Sequence, residues 1–235
     1  MKIQDLIDLF RKQVADVEKP RLWDDVEVLQ YLVDAQDMYV RLTGGITDGS
    51  SVAITQVAVV TGVPFSKHSP YILRIRSGRL LTARRMVKMA SEADLSHVGV
   101  VQNSSLLDYG FIKPPYLDDT DTGEVVAAVL GVEKNSIRWY KVPVADDICQ
   151  LNVFRLPFPR IKDELSCLEI DEQHHMSLLY WMKHRAYSKE DGETYDKTLA
   201  DSNEAKFRNY CERAKQEEER QRYKPRVVQY GGIPF

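Results

Sequence analysis

At 235 residues the chain is long enough to bury roughly 70 to 75% of its unfolded surface, so one core, or one core with an appended subdomain, needs no disulfide or metal staple. With 43% hydrophobic and 29% charged residues and no apolar run near the roughly 18 residues of a membrane span, the composition is that of a globular protein and excludes a transmembrane helix. A net charge of −3 excludes a protein that coats nucleic acid over its whole surface, so any such contact must be local.

In chain order, Ile3, Leu6, Ile7, Phe10 and Val14 recur at helical spacing and predict an amphipathic helix over residues 3–15. Asp5 and Asp8 interrupt it, and no small-residue cleavage site follows, so it does not read as a signal peptide and the chain is expected to stay in the cytoplasm where it is made. Beyond Pro20, Asp24 is the expected N-cap of a second helix, with Glu27 in a capping-box position and Trp23 and Val28 placed for a hydrophobic staple. Val28, Leu29, Leu32, Ala35 and Tyr39 form its apolar face, and the glycines of "TGG" at 43–45 supply a left-handed stop.

From about 52 to 165 the pattern changes to short β-branched runs, "VAITQVAVV", "YILRIRS", "EVVAAVLGV", "SIRWYKVP" and "ICQLNVFRLP", separated by Pro, Gly, Asn and Asp. In "YILRIRS" the alternation predicts Leu73 and Ile75 on a buried face and Arg74 and Arg76 on a wet one. Residues 79–97 are ambiguous, with room for a short helix around "SEADLSHV".

The helical period returns after Pro159, with Asp171 as N-cap for "EQHHMSLLYWMKHRAYS". Met176, Leu179, Met182 and Ala186 are expected on one side, and Leu178, Trp181 and Arg185 on another. After a break at "KEDGE", a last helix is expected from about 194 to 222, through Tyr195, Leu199, Phe207 and Tyr210 and then a charged "ERAKQEEERQR". The expected class is α+β: a helical bundle from the N-terminal (1–50) and C-terminal (166–222) helices, an inserted antiparallel β-rich lobe (51–165), and an extended C-terminal arm (223–235).

Chemistry-bearing clusters are weak. His174 and His175 are adjacent in a helical segment and point about 100° apart, and with His184 they give no chelating spacing. "DDTDTGE" at 118–124 fails the ligand positions of a calcium loop and reads as a turn. Cys149, Cys167 and Cys211 are odd in number and widely spaced, which fits reduced thiols. A thiol or metal enzyme built on Cys167, His174 and His175 is the least favoured reading, and no cofactor, metal or catalytic residue is expected.

Two other segments stand out. Residues 71–90 contain Arg74, Arg76, Arg79, Arg84, Arg85 and Lys88 with no acid among them. They read either as a solvated or subunit-contacting sheet face or as a surface for nucleic-acid phosphates. Residues 222–235, "RYKPRVVQYGGIPF", follow the charged helix with strand-forming residues. Pro225 extends the backbone before it, and Tyr223, Arg226, Val227, Val228 and Tyr230, with Ile233 and Phe235 as anchors, suit a docking arm for another chain, the alternative being an arm folded back on its own domain.

The segments "LWDDVEVLQYLVDAQDMYVRLTGG", "LNVFRLP", "HHMSLLYWMKHRAYSKEDGETYDKTLADSNEAKF" and "YKPRVVQYGGIPF", in that order, resemble those of head-to-tail adaptor (connector) proteins of tailed bacteriophages, particularly the short-tailed kind. Asp34 stands where that pattern has Asn before Ala-Gln, a mild departure. The resemblance implies a structural protein and not an enzyme, in the neck of the virion. Its copies, usually twelve, would form a ring beneath the portal protein, with the C-terminal arm on the portal, tail, nozzle or tail-fibre proteins below, and DNA in the channel.

Overall fold

The structure, a computed structural model, describes residues 1–92, 119–163, 166–190 and 194–222. It is a mixed α+β chain that divides into two units, one of residues 1–44 and 157–235 and the other of residues 45–156. Among the described residues no helix is long and apolar enough to cross a membrane.

The first unit holds helices α1 (Ile3–Gln13), α2 (Asp25–Thr43), α4 (His175–Tyr187) and α5 (Lys197–Arg222), with a 3₁₀ turn at Glu172–His174. The start of α2 is local chemistry: the Asp24 carboxylate accepts from the Glu27 N–H at 2.6 Å. Only half of the expected box forms, because the Glu27 carboxylate instead accepts from the Tyr31 hydroxyl at 2.6 Å and the Lys189 ammonium at 3.0 Å. Gly44, at φ +105°, ends the helix in the left-handed region that a Cβ disfavours.

The helices pack through Leu6, Ile7, Phe10, Trp23, Leu32, Ala35, Leu178, Met182, Phe207 and Cys211, all buried. Each large apolar side chain contributes about 1.5–3 kcal/mol by leaving water. The connection from α1 to α2 is tied down from within: Arg11, 4% exposed, donates to Asp16 Oδ2 at 2.5 Å, to the Trp23 carbonyl at 3.1 Å and to Asp25 Oδ1 at 2.6 Å.

Two helical faces differ from expectation. Met176 is half exposed, and α4 buries Leu178, Leu179, Trp181, Met182 and Ala186. On α5, Tyr195 (just before the helix) and Leu199 are exposed while Ala200, Asn203, Phe207, Cys211 and Ala214 are buried, so the packed stripe continues a turn beyond Tyr210. Both segments carry two plausible stripes, and the position of the neighbouring helices decides between them.

The second unit contains β1 (Ile46–Asp48), a one-turn helix α3 (Val52–Thr55), β2 (Gln56–Val59), β3 (Phe65–Lys67), β4 (Ile72–Leu80), β5 (Met86–Ser91), β6 (Thr122–Gly123), β7 (Ala127–Leu130), β8 (Ser136–Trp139), β9 (Val142–Pro143) and β10 (Asp147–Arg155). Eight of these make one sheet in the order β1-β10-β4-β5-β7-β8-β3, with β2 also on β10, and β6 pairs with β9. In the large sheet only β5 and β7 run parallel.

β10 is its spine, with β4 along one edge and β2 and β1 sharing the other. Ser66 on β3 donates to the Ala58 carbonyl on β2 at 2.6 Å, so the sheet curls until strands from its two ends meet, which shields edges that would otherwise pair with other chains. Inside the curl lie Val57, Val87, Ala128, Ile137, Trp139, Cys149, Leu151 and Val153. Trp139 is fully buried, its indole N–H on Ser66 Oγ at 2.9 Å.

"VAITQVAVV" is not one strand. The Asp48 carboxylate accepts from the N–H groups of Ser50 and Ser51 at 2.9 and 3.1 Å, and the Ser51 carbonyl accepts from Ile54 and Thr55, so residues 52–55 wind into a helical turn before β2 begins. The ambiguous 79–97 stretch holds the end of β4, a turn and β5. The helix expected around "SEADLSHV" falls mostly outside the described residues.

Candidate functional site

The acid-free run folds into the β4–β5 hairpin. Its turn is fixed by the Leu80 N–H on the Arg85 carbonyl at 2.8 Å, and by Asp147, whose carboxylate accepts from the N–H groups of Thr82 and Ala83 at 2.9 and 3.0 Å. Burial pushes the Asp147 carboxyl up, but these backbone donors outweigh it and hold it below the usual carboxylate range.

The side-chain phase along β4 is not the simple alternation expected. The pairing with β10 shifts register between Asn152 and Val153 and again between Phe154 and Arg155, so Arg76 and Leu73 are extra residues on β4. Ile72 therefore faces the core, while Leu73, expected inside, is 39% exposed. Arg74 lies opposite Phe154, and Arg79 lies opposite both Gln150 and Met86.

Val153 and Val87 point into the curl, so their neighbours Phe154, Met86 and Lys88 belong to the outer face. There the guanidinium carbons of Arg74 and Arg76 stand 4.5 and 5.4 Å from the Phe154 ring centroid, a cation–π arrangement on a ring that is only 3% exposed. The structure thus gathers Arg74, Arg76, Arg79 and Lys88, all exposed, on the outer face of β4 and β5.

Arg84 is exposed in the turn at φ +51°, and Arg85 is set apart by an ion pair with Glu124 at 2.5 Å. Phe154, which organises the first two arginines, escaped the sequence reading. The signal was an aromatic at a polar-alternating position of "LNVFR".

The other candidates are engaged otherwise. His174, buried, meets Tyr210 Oη at 3.0 Å and stacks on Tyr39 at 5.2 Å, and His175 meets the Ile170 carbonyl at 3.0 Å. No group of three or more His, Cys, Asp or Glu among the described residues is placed to hold a metal. Cys167 is exposed, whereas burial pushes the Cys149 and Cys211 thiols up to about 12.

In the acidic turn, Asp119 pairs with the buried Arg138 at 2.7 Å and Asp121 with Lys141 at 3.0 Å. A cleft of about 200 Å³ beside the hairpin turn is lined by Leu80, Arg85, Glu124, Val144, Asp146 and Asp147. Asp146 there receives the N–H and hydroxyl of Thr61 at 2.7 and 2.8 Å, which keep its carboxyl low. The arm residues Tyr223, Arg226, Val227, Val228, Tyr230, Ile233 and Phe235 lie outside the described residues.

No curated protein matches the chain. The family model described as SU10 adaptor protein matches residues 1–229, nearly the whole length. The chain belongs to the SU10 adaptor protein family, in agreement with its resemblance to phage head-to-tail adaptors.

Proposed function

We propose that the protein is a structural head-to-tail adaptor of a tailed phage, of the short-tailed kind, whose copies form a ring beneath the portal, extend the DNA channel and give tail components a platform. The observation that carries this reading is the SU10 adaptor family match over residues 1–229. In a ring each contact is repeated around the axis, so a modest interface per copy becomes stable through its multiplicity.

On this reading residues 223–235 form the arm that docks on the portal by adding an extended segment to it. The test is co-sedimentation of the full chain and of a chain ending at Arg222 with purified portal. The full chain is expected in the portal fraction and the shortened chain, folded and monodisperse, is expected outside it. Equal binding by both would sink the arm assignment, and failure of the full chain to bind would sink the adaptor reading.

A further inference from the structure

Two sets of basic residues stand in contrast among the described residues. Arg11, Arg21, Arg85, Arg138, Lys141, Arg155, Arg160, Arg185, Lys189 and Arg208 each meet a carboxylate. Arg74, Arg76, Arg79 and Lys88, on the outer face of β4 and β5, meet no carboxylate in any of the ion pairs among the described residues. Exposed cations elsewhere, Lys12, Lys67 and Arg84 among them, also lack such a partner; what marks this face is that four of them stand together on adjoining strands, which concentrates a positive field that an external anion can neutralise.

From the geometry of this face we infer that Arg74, Arg76, Arg79 and Lys88 form a binding surface for the phosphate backbone of duplex DNA, read without regard to base sequence. Arg79 lies five residues along the strand from Arg74, at most about 17 Å at the usual rise, and duplex DNA presents a phosphate about every 3.4 Å of axis on each strand. Phe154 backs the guanidiniums of Arg74 and Arg76, which restricts their rotamers and reduces the entropy lost on meeting a phosphate.

The side chains between the cations are neutral: Ser77 on β4, with Asn152 and Gln150 opposite. Two acids beside the hairpin turn are committed elsewhere, Asp147 to the hairpin N–H groups and Glu124 to Arg85. A protein partner fits this face less well. A protein interface is dominated by buried aromatic or aliphatic anchors, whereas the positions between these cations are mainly polar, with Met86 among them and Leu81 and Ile148 at one end.

The test is fluorescence anisotropy of the full-length protein with labelled duplexes of unrelated sequence, from about 50 to 200 mM salt. Four phosphate contacts predict a slope of about −3.6 in log affinity against log salt, which is about a 150-fold loss across that range, equal for all sequences. In Arg79→Gln/Lys88→Gln, both exposed and neither holding the core, the slope falls to about −1.8 and the loss to about 12-fold.

No binding at the low-salt end, or an unchanged slope in the double variant, overturns the inference. So does a double variant that keeps its DNA affinity but loses self-association or portal binding, which would assign the face to an acidic protein partner. The inference does not depend on the adaptor reading: a double variant that still joins the portal yet binds DNA as tightly as the parent refutes the DNA surface alone.

Discussion

The buried pair Asp48–Arg155 ties the first strand of the β unit to the end of its spine, and its removal is expected to be costly. Arg155 Nε donates to Asp48 Oδ2 at 2.5 Å, with both side chains under 10% exposed. Asp48 Oδ1 also accepts from the N–H groups of Ser50 and Ser51, and Arg155 Nη1 reaches the Leu156 carbonyl at 3.0 Å. Taking away one partner of such a pair costs about 3–5 kcal/mol, because the other charge stays in a poorly solvated site.

Asp48→Ala is therefore expected to lower unfolding free energy in urea by about 3–5 kcal/mol. Asp48→Ala/Arg155→Met should recover part of that loss, giving a coupling of about 2 kcal/mol or more in the double-mutant cycle. Burial acts to raise the Asp48 carboxyl, but the Ser51 and Ser50 donors and Arg155 outweigh it, so its folded pKa is depressed. A depressed carboxylate adds stability that is complete above its unfolded pKa of about 3.9 and is lost as pH falls through the folded value. Between about pH 5 and pH 3 the parent should lose more stability than the alanine variant. A coupling below about 0.5 kcal/mol, or parallel acid limbs, would refute the reasoning.

Three further outcomes follow from the same contacts. Ellman's reagent should titrate one thiol per chain under native conditions, the exposed Cys167, and all three in denaturant, since Cys149 and Cys211 are buried and held up to about 12. Asp24→Ala should cost about 0.5–2 kcal/mol in thermal unfolding through the lost Glu27 N–H bond, and Asp24→Asn much less. Arg11→Met should cost about 3 kcal/mol or more, because it leaves the buried Asp16 without its guanidinium, while Arg21→Met at the exposed Asp25 should stay within about 0.5 kcal/mol.

What was legible in the sequence was what neighbouring residues decide. The Asp24 cap and the Gly44 stop depend on atoms within a few positions, and both are found. The mixed α+β class follows from the change of period near residue 52 and its return after Pro159. What escaped depends on distant partners. The bulges that turn Leu73 outward arise from pairing with a strand some eighty residues later. Burial of Arg138 and Arg155 is made tolerable by Asp119 and Asp48, which no local window contains. The basic run was legible as a run, but its division into four cations on one face, one in a turn and one paired with Glu124 required the hairpin itself.

The central claim is adaptor function, and its most direct test is electron microscopy of the full-length protein mixed with purified portal. The account predicts a ring of this protein stacked coaxially on the portal, one layer thick, with density for residues 223–235 reaching the portal surface. Portal particles unchanged in outline at saturating protein would contradict it.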